Sequence, residues 1–177
     1  MSNTIKTLFT LLFFTICILE SRAQKSINTS PLGLQLKQIL DNGSTEYKKL
    51  KLGKGVPGKY DTLYNSNLKM ANTLKSTIKC NDGCLYVILI GDEIEEDAAT
   101  TIFAQWSNMI AQALGKDFNL ESKTKTDDLF VSVQDNFKFE GVFNNTTGTP
   151  RKSVTLKMYN YDGSPSNIEI DIRVSGF

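Results

Sequence analysis

The sequence predicts an α+β fold: a two-layer domain with a mainly antiparallel sheet of about five to six strands and two helices on one face. One helix is short and N-terminal, and the other is long and central. Three observations support this prediction. Apolar residues between 99 and 114 recur at spacings of three and four, as in an amphipathic helix. Residues 154–158 and 168–174 alternate between apolar and polar, as in strands of a sheet covered on one side. Residues 85–90 are continuously apolar, which is typical of a central strand.

The first 23 residues predict a secretory signal peptide. A lysine precedes the apolar run Thr7–Leu19, and Ser21 and Ala23 are the small residues favoured before a cleavage site. The run is short for a membrane span. We therefore expect cleavage after Ala23, leaving a single α+β domain of residues 24–177 that is secreted or periplasmic.

A short amphipathic helix is predicted next. Ser30 is a typical N-cap, and Pro31 suits the first helical position. The helix should end near Asn42-Gly43. Its apolar stripe consists of Leu32, Leu36, Ile39 and Leu40.

Lysines and glycines dominate Lys48–Lys59, which is interpreted as a connector. This basic stretch could contact phosphate, an acidic glycan or a lipid headgroup, although lysines without arginines or interleaved aromatics are usually only solvated. A polar edge strand is predicted over Tyr60–Ala71, a second strand over Leu74–Cys80 and a third over Cys84–Ile90.

Cys80 and Cys84 are predicted to form a disulfide across a hairpin. The intervening Asn81-Asp82-Gly83 is a turn sequence, and an oxidising compartment favours the bond. A redox role is disfavoured because thiol oxidoreductases separate their cysteines by two residues. The third cysteine, Cys17, lies in the signal peptide, and Ile16 before it is too large for a lipoprotein site, so lipid anchoring is not expected.

The acidic run Asp92–Asp97 is predicted to open the long helix, where the helix dipole favours negative charge. Two functional alternatives are a Ca²⁺ site and a pair of catalytic carboxylates. Gly115 should end the helix. Its predicted core stripe, which should pack on the apolar sides of the last two strands, is Ile102, Phe103, Trp106, Met109 and Ile110.

Four strand-like segments follow the long helix. They are Phe130–Val133, Phe137–Phe143, Val154–Tyr159 and Ile168–Ser175, and the last two should form a hairpin. If Phe130–Val133 is only a short piece, the order is helix, about three strands, long helix and about three strands, which suggests two similar halves.

Composition excludes several classes of function. The chain contains no histidine, which excludes Ser-His-Asp and Cys-His catalysis and His-based zinc sites within it. A net charge of +1 is too small to attract nucleic acid electrostatically. The sequence contains no cofactor-binding motif. We expect no nucleic-acid partner, no cofactor and no membrane segment after signal cleavage.

A possible binding surface comes from side chains that one layer of helices cannot cover. Leu85, Val87 and Leu89 share one side of the third strand, while Tyr159 and Tyr161 lie on the polar side of theirs. Either Lys48–Tyr60 or Lys116–Asp128 folds over this face, or a partner covers it.

The leader ending in Ser-Arg-Ala-Gln and the lysine- and asparagine-rich chain resemble exported proteins of Bacteroidetes-type bacteria. The layout resembles small exported α+β proteins of that group, with Tyr47–Gly53 corresponding to their Tyr/Phe-Lys-x-Leu/Ile-Lys-Gly segment. This resemblance covers most of the mature chain and implies no functional residues or activity.

The leading hypothesis is an exported, non-catalytic binding domain whose partner is a protein, a second copy of the chain or a cell-envelope component. One alternative is a histidine-independent hydrolase that uses carboxylates or a Ser/Lys pair. The other is a subunit of an envelope assembly.

Overall fold

Two α-helices, a short 3₁₀ helix (Gly43–Thr45) and eight strands are the regular elements of a computed structural model that describes residues 30–124, 136–160 and 165–176. The predicted signal peptide, Tyr161 and the predicted strand at Phe130–Val133 lie outside these ranges. The helices are α1 (Pro31–Asn42) and α2 (Glu96–Leu114). The strands are β1 (Lys51–Pro57), β2 (Thr62–Ser66), β3 (Lys75–Asn81), β4 (Gly83–Ile94), β5 (Phe118–Thr124), β6 (Asn136–Asn145), β7 (Arg151–Asn160) and β8 (Ser166–Ser175).

The strands form one antiparallel sheet in the order β1-β2-β3-β4-β8-β7-β6-β5. A helix followed by a four-stranded meander therefore occurs twice, which is the two-halved layout that the element order suggests. The last strand of each half, β4 or β8, lies at the centre of the sheet. Their antiparallel pairing, in which Ile88 lies opposite Ile170, joins the two halves.

Both helices pack on the same side of the sheet, in one core that includes residues of both halves. The two-layer α+β prediction is confirmed in this respect. Ser30 begins α1 as predicted, because its side-chain oxygen accepts a hydrogen bond from the Gly33 N–H at 3.1 Å. Such a cap typically stabilises a helix by about 1 kcal/mol. The buried side chains of this core include Leu36, Ile39, Leu40, Trp106, Ile110, Val154, Leu156, Met158, Ile168, Ile170 and Ile172.

The predicted strand count of five to six is wrong, since the sheet has eight strands. Lys48–Lys59 is not a connector, because most of it forms β1 at one edge. The edge strand predicted over Tyr60–Ala71 is instead the shorter β2, which pairs on both sides and is not at an edge. Edge strands need little apolar alternation, so β1 and β5 carry a weak sequence signal.

The long helix differs from its prediction in two places. Asp92 and Glu93 belong to the end of β4, and the helix starts at Glu96. Met109 is 41% exposed and is not part of the core, whereas Trp106 is only 7% exposed. Gly115 ends the helix with φ 62°, as predicted.

Candidate functional site

The sheet side opposite the helices carries four of the predicted binding residues, namely Leu85, Val87, Leu89 and Tyr159. We call it the helix-free face, because both described helices pack on the other side. It is defined by four columns of side chains, one from each of the central strands. These columns are Lys75, Thr77 and Lys79 on β3; Leu85, Val87 and Leu89 on β4; Asn167, Glu169, Asp171 and Arg173 on β8; and Ser153, Thr155, Lys157 and Tyr159 on β7.

The β4 column is the apolar centre of the helix-free face. Leu85 and Leu89 are half-buried, and Val87 between them is 5% exposed. The opposite side of the same strand, which includes Tyr86 and Ile88, is fully buried beneath the helices. The continuous apolar run is therefore correctly interpreted as a central strand.

Neither segment that was expected to cover this face does so in the described residues. Residues 51–57 form β1 and residues 118–124 form β5, and these strands extend the sheet at its two edges. Beyond the β4 column, the face carries two more apolar side chains at its β1 edge: Leu52 and Val56 are 57% and 65% exposed. The polar β3 column lies between these two side chains and the β4 column, so the face carries two separate apolar areas.

A charged cluster lies beside the apolar column. The Lys157 ammonium pairs with Oδ2 of Asp171, and the Tyr159 hydroxyl donates to Oε2 of Glu169 at 3.3 Å. Asp171 is only 8% exposed, and its Oδ1 has no hydrogen-bond partner among the described residues. A buried carboxylate oxygen without a donor is destabilising, so this atom lowers the stability of the fold.

Among the described residues, Glu169 is the one carboxyl group whose pKa is clearly shifted. Burial raises the pKa of Glu169, and the negative charge of Asp171 raises it further. The nearby ammonium groups of Lys79 and Lys157 and the Tyr159 hydrogen bond act in the opposite direction. The cluster therefore contains one carboxyl group, that of Glu169, whose pKa is raised.

An open cleft of about 1030 Å³ borders the helix-free face at the hairpin end of the sheet. The turn after α1, the β3–β4 hairpin and the end of β8 form its walls. Leu85 lines both the cleft and the helix-free face. Its charged lining residues, none of which forms an ion pair within the described parts of the chain, are Glu46, Lys48, Asp61, Lys79, Asp82 and Arg173.

The turn that forms one wall of this cleft is held by a buried tyrosine. Glu46 and Tyr47 both have positive φ, at 53° and 58°. The Tyr47 hydroxyl donates to the Ile172 carbonyl at 2.8 Å, and burial raises the pKa of Tyr47. Gly43 lies so close to Val174 that an added Cβ would approach a side-chain carbon at 2.2 Å. This packing fixes the wall of the cleft against β8.

The other predicted residues are placed as follows. Cys80 and Cys84 form the predicted disulfide and are directly opposite each other in the β3–β4 pairing. Tyr159 lies on the helix-free face, as predicted. The acidic run Asp92–Asp97 spans the end of β4 and the first turn of α2. Among residues 30–124, 136–160 and 165–176, no three acidic or cysteine side chains gather as metal ligands would.

Sequence reasoning missed the charged cluster. Glu169 and Asp171 alternate with isoleucines, which is typical of a solvated strand face. Lys157 alternates with apolar residues in the same way. A usable signal was that two hairpin-paired strands carry opposite charges on their polar sides, which predicts cross-strand ion pairs.

Comparison with known proteins finds no match: no protein family, curated protein or solved structure is similar to this chain at a significant level. Among the described residues, neither helix combines the length and apolar character needed to cross a membrane.

Proposed function

We propose that this protein is an exported interaction domain that binds a protein partner through its helix-free face. One observation carries the proposal: a half-buried leucine column lies on the sheet side opposite both helices, with charged and polar side chains on either side of it. Partly exposed apolar side chains on a face that no helix covers are typical of interaction sites. Export is supported by the predicted signal peptide, and the disulfide is compatible with an oxidising compartment.

The arrangement favours a macromolecular partner over a small molecule. The helix-free face is a broad sheet surface, whereas small ligands are usually enclosed by concave pockets. Its apolar column is flanked by charged and polar side chains, which matches the apolar centre and polar rim of protein interfaces. A cell-envelope protein is the partner class that fits an exported domain.

A histidine-independent hydrolase is the second hypothesis. Glu169 and Asp171 lie two residues apart on one face, and the pKa of Glu169 is raised, as expected for a proton donor beside a charged carboxylate. The carboxylates that line the cleft are those of Glu46, Asp61 and Asp82. Glu169 and Asp171 do not line it, and they lie on the broad sheet face instead.

The proposal is tested by retention on the immobilised mature domain, residues 24–177. We expect a protein from an envelope fraction of the organism that makes it to be retained and identified by mass spectrometry. The double variant Leu85→Ser/Leu89→Ser should lose at least about 90% of that retention, because it removes the apolar centre. The matched control is Leu34→Ser, an exposed leucine of α1 on the other side of the molecule. Equal retention by both variants would contradict the proposal.

A further inference from the structure

We propose that Cys80 and Cys84 form a site of thiol–disulfide exchange, in which Cys84 reacts with the substrate and Cys80 is the resolving cysteine. The substrate class is a cysteine-bearing polypeptide, as a dithiol or as a disulfide. Cysteine spacing alone disfavours a redox role, but two features that spacing does not contain favour it: a cation beside Cys84 and an open cleft at Cys84. Cys84 lies on the other side of β4 from the leucine column, so this site does not depend on the partner proposed for the helix-free face.

Lys51 supplies a positive charge at Cys84. Its ammonium lies 3.4 Å from Sγ of Cys84 and 4.5 Å from the centre of the Tyr64 ring. Among the residues that the structure describes, no carboxylate forms an ion pair with Lys51, so its charge is not neutralised locally. A cation beside a sulfur favours the thiolate over the thiol, and the thiolate is the form that attacks a disulfide. Lys51 therefore favours Cys84 as the reactive sulfur.

Cys84 is also the cysteine at the cleft. It lines the open cleft of about 1030 Å³, whereas Cys80 is not among the lining residues. Both cysteines are half-buried and pack against the core. The cleft walls carry three acidic and three basic side chains, which suits a polypeptide segment better than an apolar small molecule. A substrate sulfur that enters the cleft therefore meets Cys84, the same cysteine that Lys51 contacts.

Reversible exchange also needs a reduced protein that stays folded with its two sulfurs adjacent. Cys80 and Cys84 lie directly opposite each other, with α-carbons 4.2 Å apart, in a β3–β4 pairing of seven residue pairs. That pairing depends on backbone hydrogen bonds, which reduction of the disulfide leaves in place. The bond closes a very short loop, so its contribution to stability is modest. The reduced cysteines therefore remain positioned to close the disulfide again.

The exchange balances without a further oxidant or reductant. A thiolate of a substrate dithiol attacks Sγ of Cys84, which forms a mixed disulfide and releases Cys80 as a thiolate that takes up a proton. The second substrate thiolate attacks the substrate sulfur of the mixed disulfide and releases Cys84 as a thiolate beside Lys51, while the second thiol proton goes to solvent. The substrate dithiol is thereby oxidised to a disulfide, and the two cysteines are reduced. The reverse sequence with a substrate disulfide restores the Cys80–Cys84 bond.

Single-cysteine variants test which sulfur reacts. The probe is bis(2-hydroxyethyl) disulfide, which is uncharged and so is not attracted by the charge of Lys51 itself. It is added to residues 24–177 carrying either Cys80→Ser or Cys84→Ser, and the mixed disulfide is followed by mass spectrometry. At about pH 7 we expect Cys84 to react at least about tenfold faster than Cys80, because a larger fraction of Cys84 is thiolate.

Lys51 variants in the Cys80→Ser background test the role of the cation. Lys51→Met should slow the reaction of Cys84 at least about fivefold and move its pH profile to higher pH, whereas Lys51→Arg should retain the rate. Lys48→Met, which changes a lysine of the cleft wall, is the matched control and should react normally. Circular dichroism should show that the reduced wild type stays folded. Equal reaction of the two cysteines, a rate that Lys51→Met leaves unchanged, or unfolding on reduction would each overturn the inference and leave the disulfide as a purely structural bond.

Discussion

At the scale of single residues, the central feature is a set of charges on a nearly buried part of a sheet face. Taking a charged group out of water is costly unless it is paired. Asp171 meets this requirement with one oxygen, through Lys157, and leaves the other without a donor. Glu169 reduces this cost in another way: its pKa is raised, so it stays protonated and uncharged to higher pH than an exposed carboxyl does.

The raised pKa of Glu169 predicts how stability depends on pH. Folding strengthens proton binding at this site, so the native state holds more protons than the unfolded chain between the ordinary carboxyl pKa and the raised one. Within that window the free energy of unfolding falls as pH rises. The stabilising contribution of protonated Glu169 is thus fully present at low pH and lost at higher pH.

Glu169→Gln should remove this contribution to the pH dependence. We expect the variant to become progressively more stable relative to the wild type as pH rises through the window. Urea denaturation at a series of pH values, at a concentration where sedimentation shows one species, measures this difference. Glu46→Gln, at an exposed site, should leave the slope unchanged. A variant that follows the wild type at every pH contradicts the assignment.

At the scale of elements, the β3–β4 hairpin shows a local prediction that succeeded. A turn sequence between two cysteines is sufficient to predict the pairing, because all the information lies within a few residues. Gly83 has φ 131°, a value that side chains other than glycine rarely adopt. Cys80 and Cys84 therefore meet in direct register.

Removal of the disulfide should have a modest effect. Cys80→Ser/Cys84→Ser is expected to lower the free energy of unfolding by roughly 1–3 kcal/mol, because the bond closes a very short loop. Chemical denaturation of the variant and of reduced wild type should give the same value. Mass spectrometry of the unreduced protein should show no free thiol in residues 24–177, and two free thiols would contradict the prediction.

Elements with an apolar pattern were predictable, and those defined by their neighbours were not. α1, α2, β4, β7 and β8 follow their hydrophobic periods closely. β1 forms although its sequence is mostly glycine and lysine, because β2 provides a hydrogen-bonding edge and a bulge between Leu52 and Val56 absorbs the irregularity. The pairing of β4 with β8 joins residues far apart in sequence, and no local pattern specifies it.

The candidate surface was predictable only in part, for the same reason. Leu85, Val87 and Leu89 follow from a strand that is apolar on both sides. Their position beside Glu169 and Asp171 depends on the β4–β8 pairing, so the sequence could not place the charged cluster next to the apolar column. Tyr159 was predicted on the correct face, but its hydrogen bond to Glu169 was not.

At the scale of the whole molecule, the two halves share one core. β4 ends the first half and β8 ends the second, and their pairing is central to the sheet. α1 and α2 contact each other over this junction, and the buried side chains of both halves form one cluster. Neither half covers its apolar side alone. We therefore expect both halves to unfold together in a single transition.

Trp106→Ala tests this shared core. Trp106 lies on α2 and is 7% exposed within the cluster, so its removal should lower the free energy of unfolding by about 3–5 kcal/mol, as for a large buried aromatic side chain. Because the core is common, circular dichroism and tyrosine fluorescence should report one coincident transition, shifted for the whole domain. Met109→Ala on the same helix is the control: with 41% of the residue exposed, it should cost less than about 1 kcal/mol. Two separate transitions in the Trp106 variant would show that the halves fold independently and that the β4–β8 pairing does not couple them.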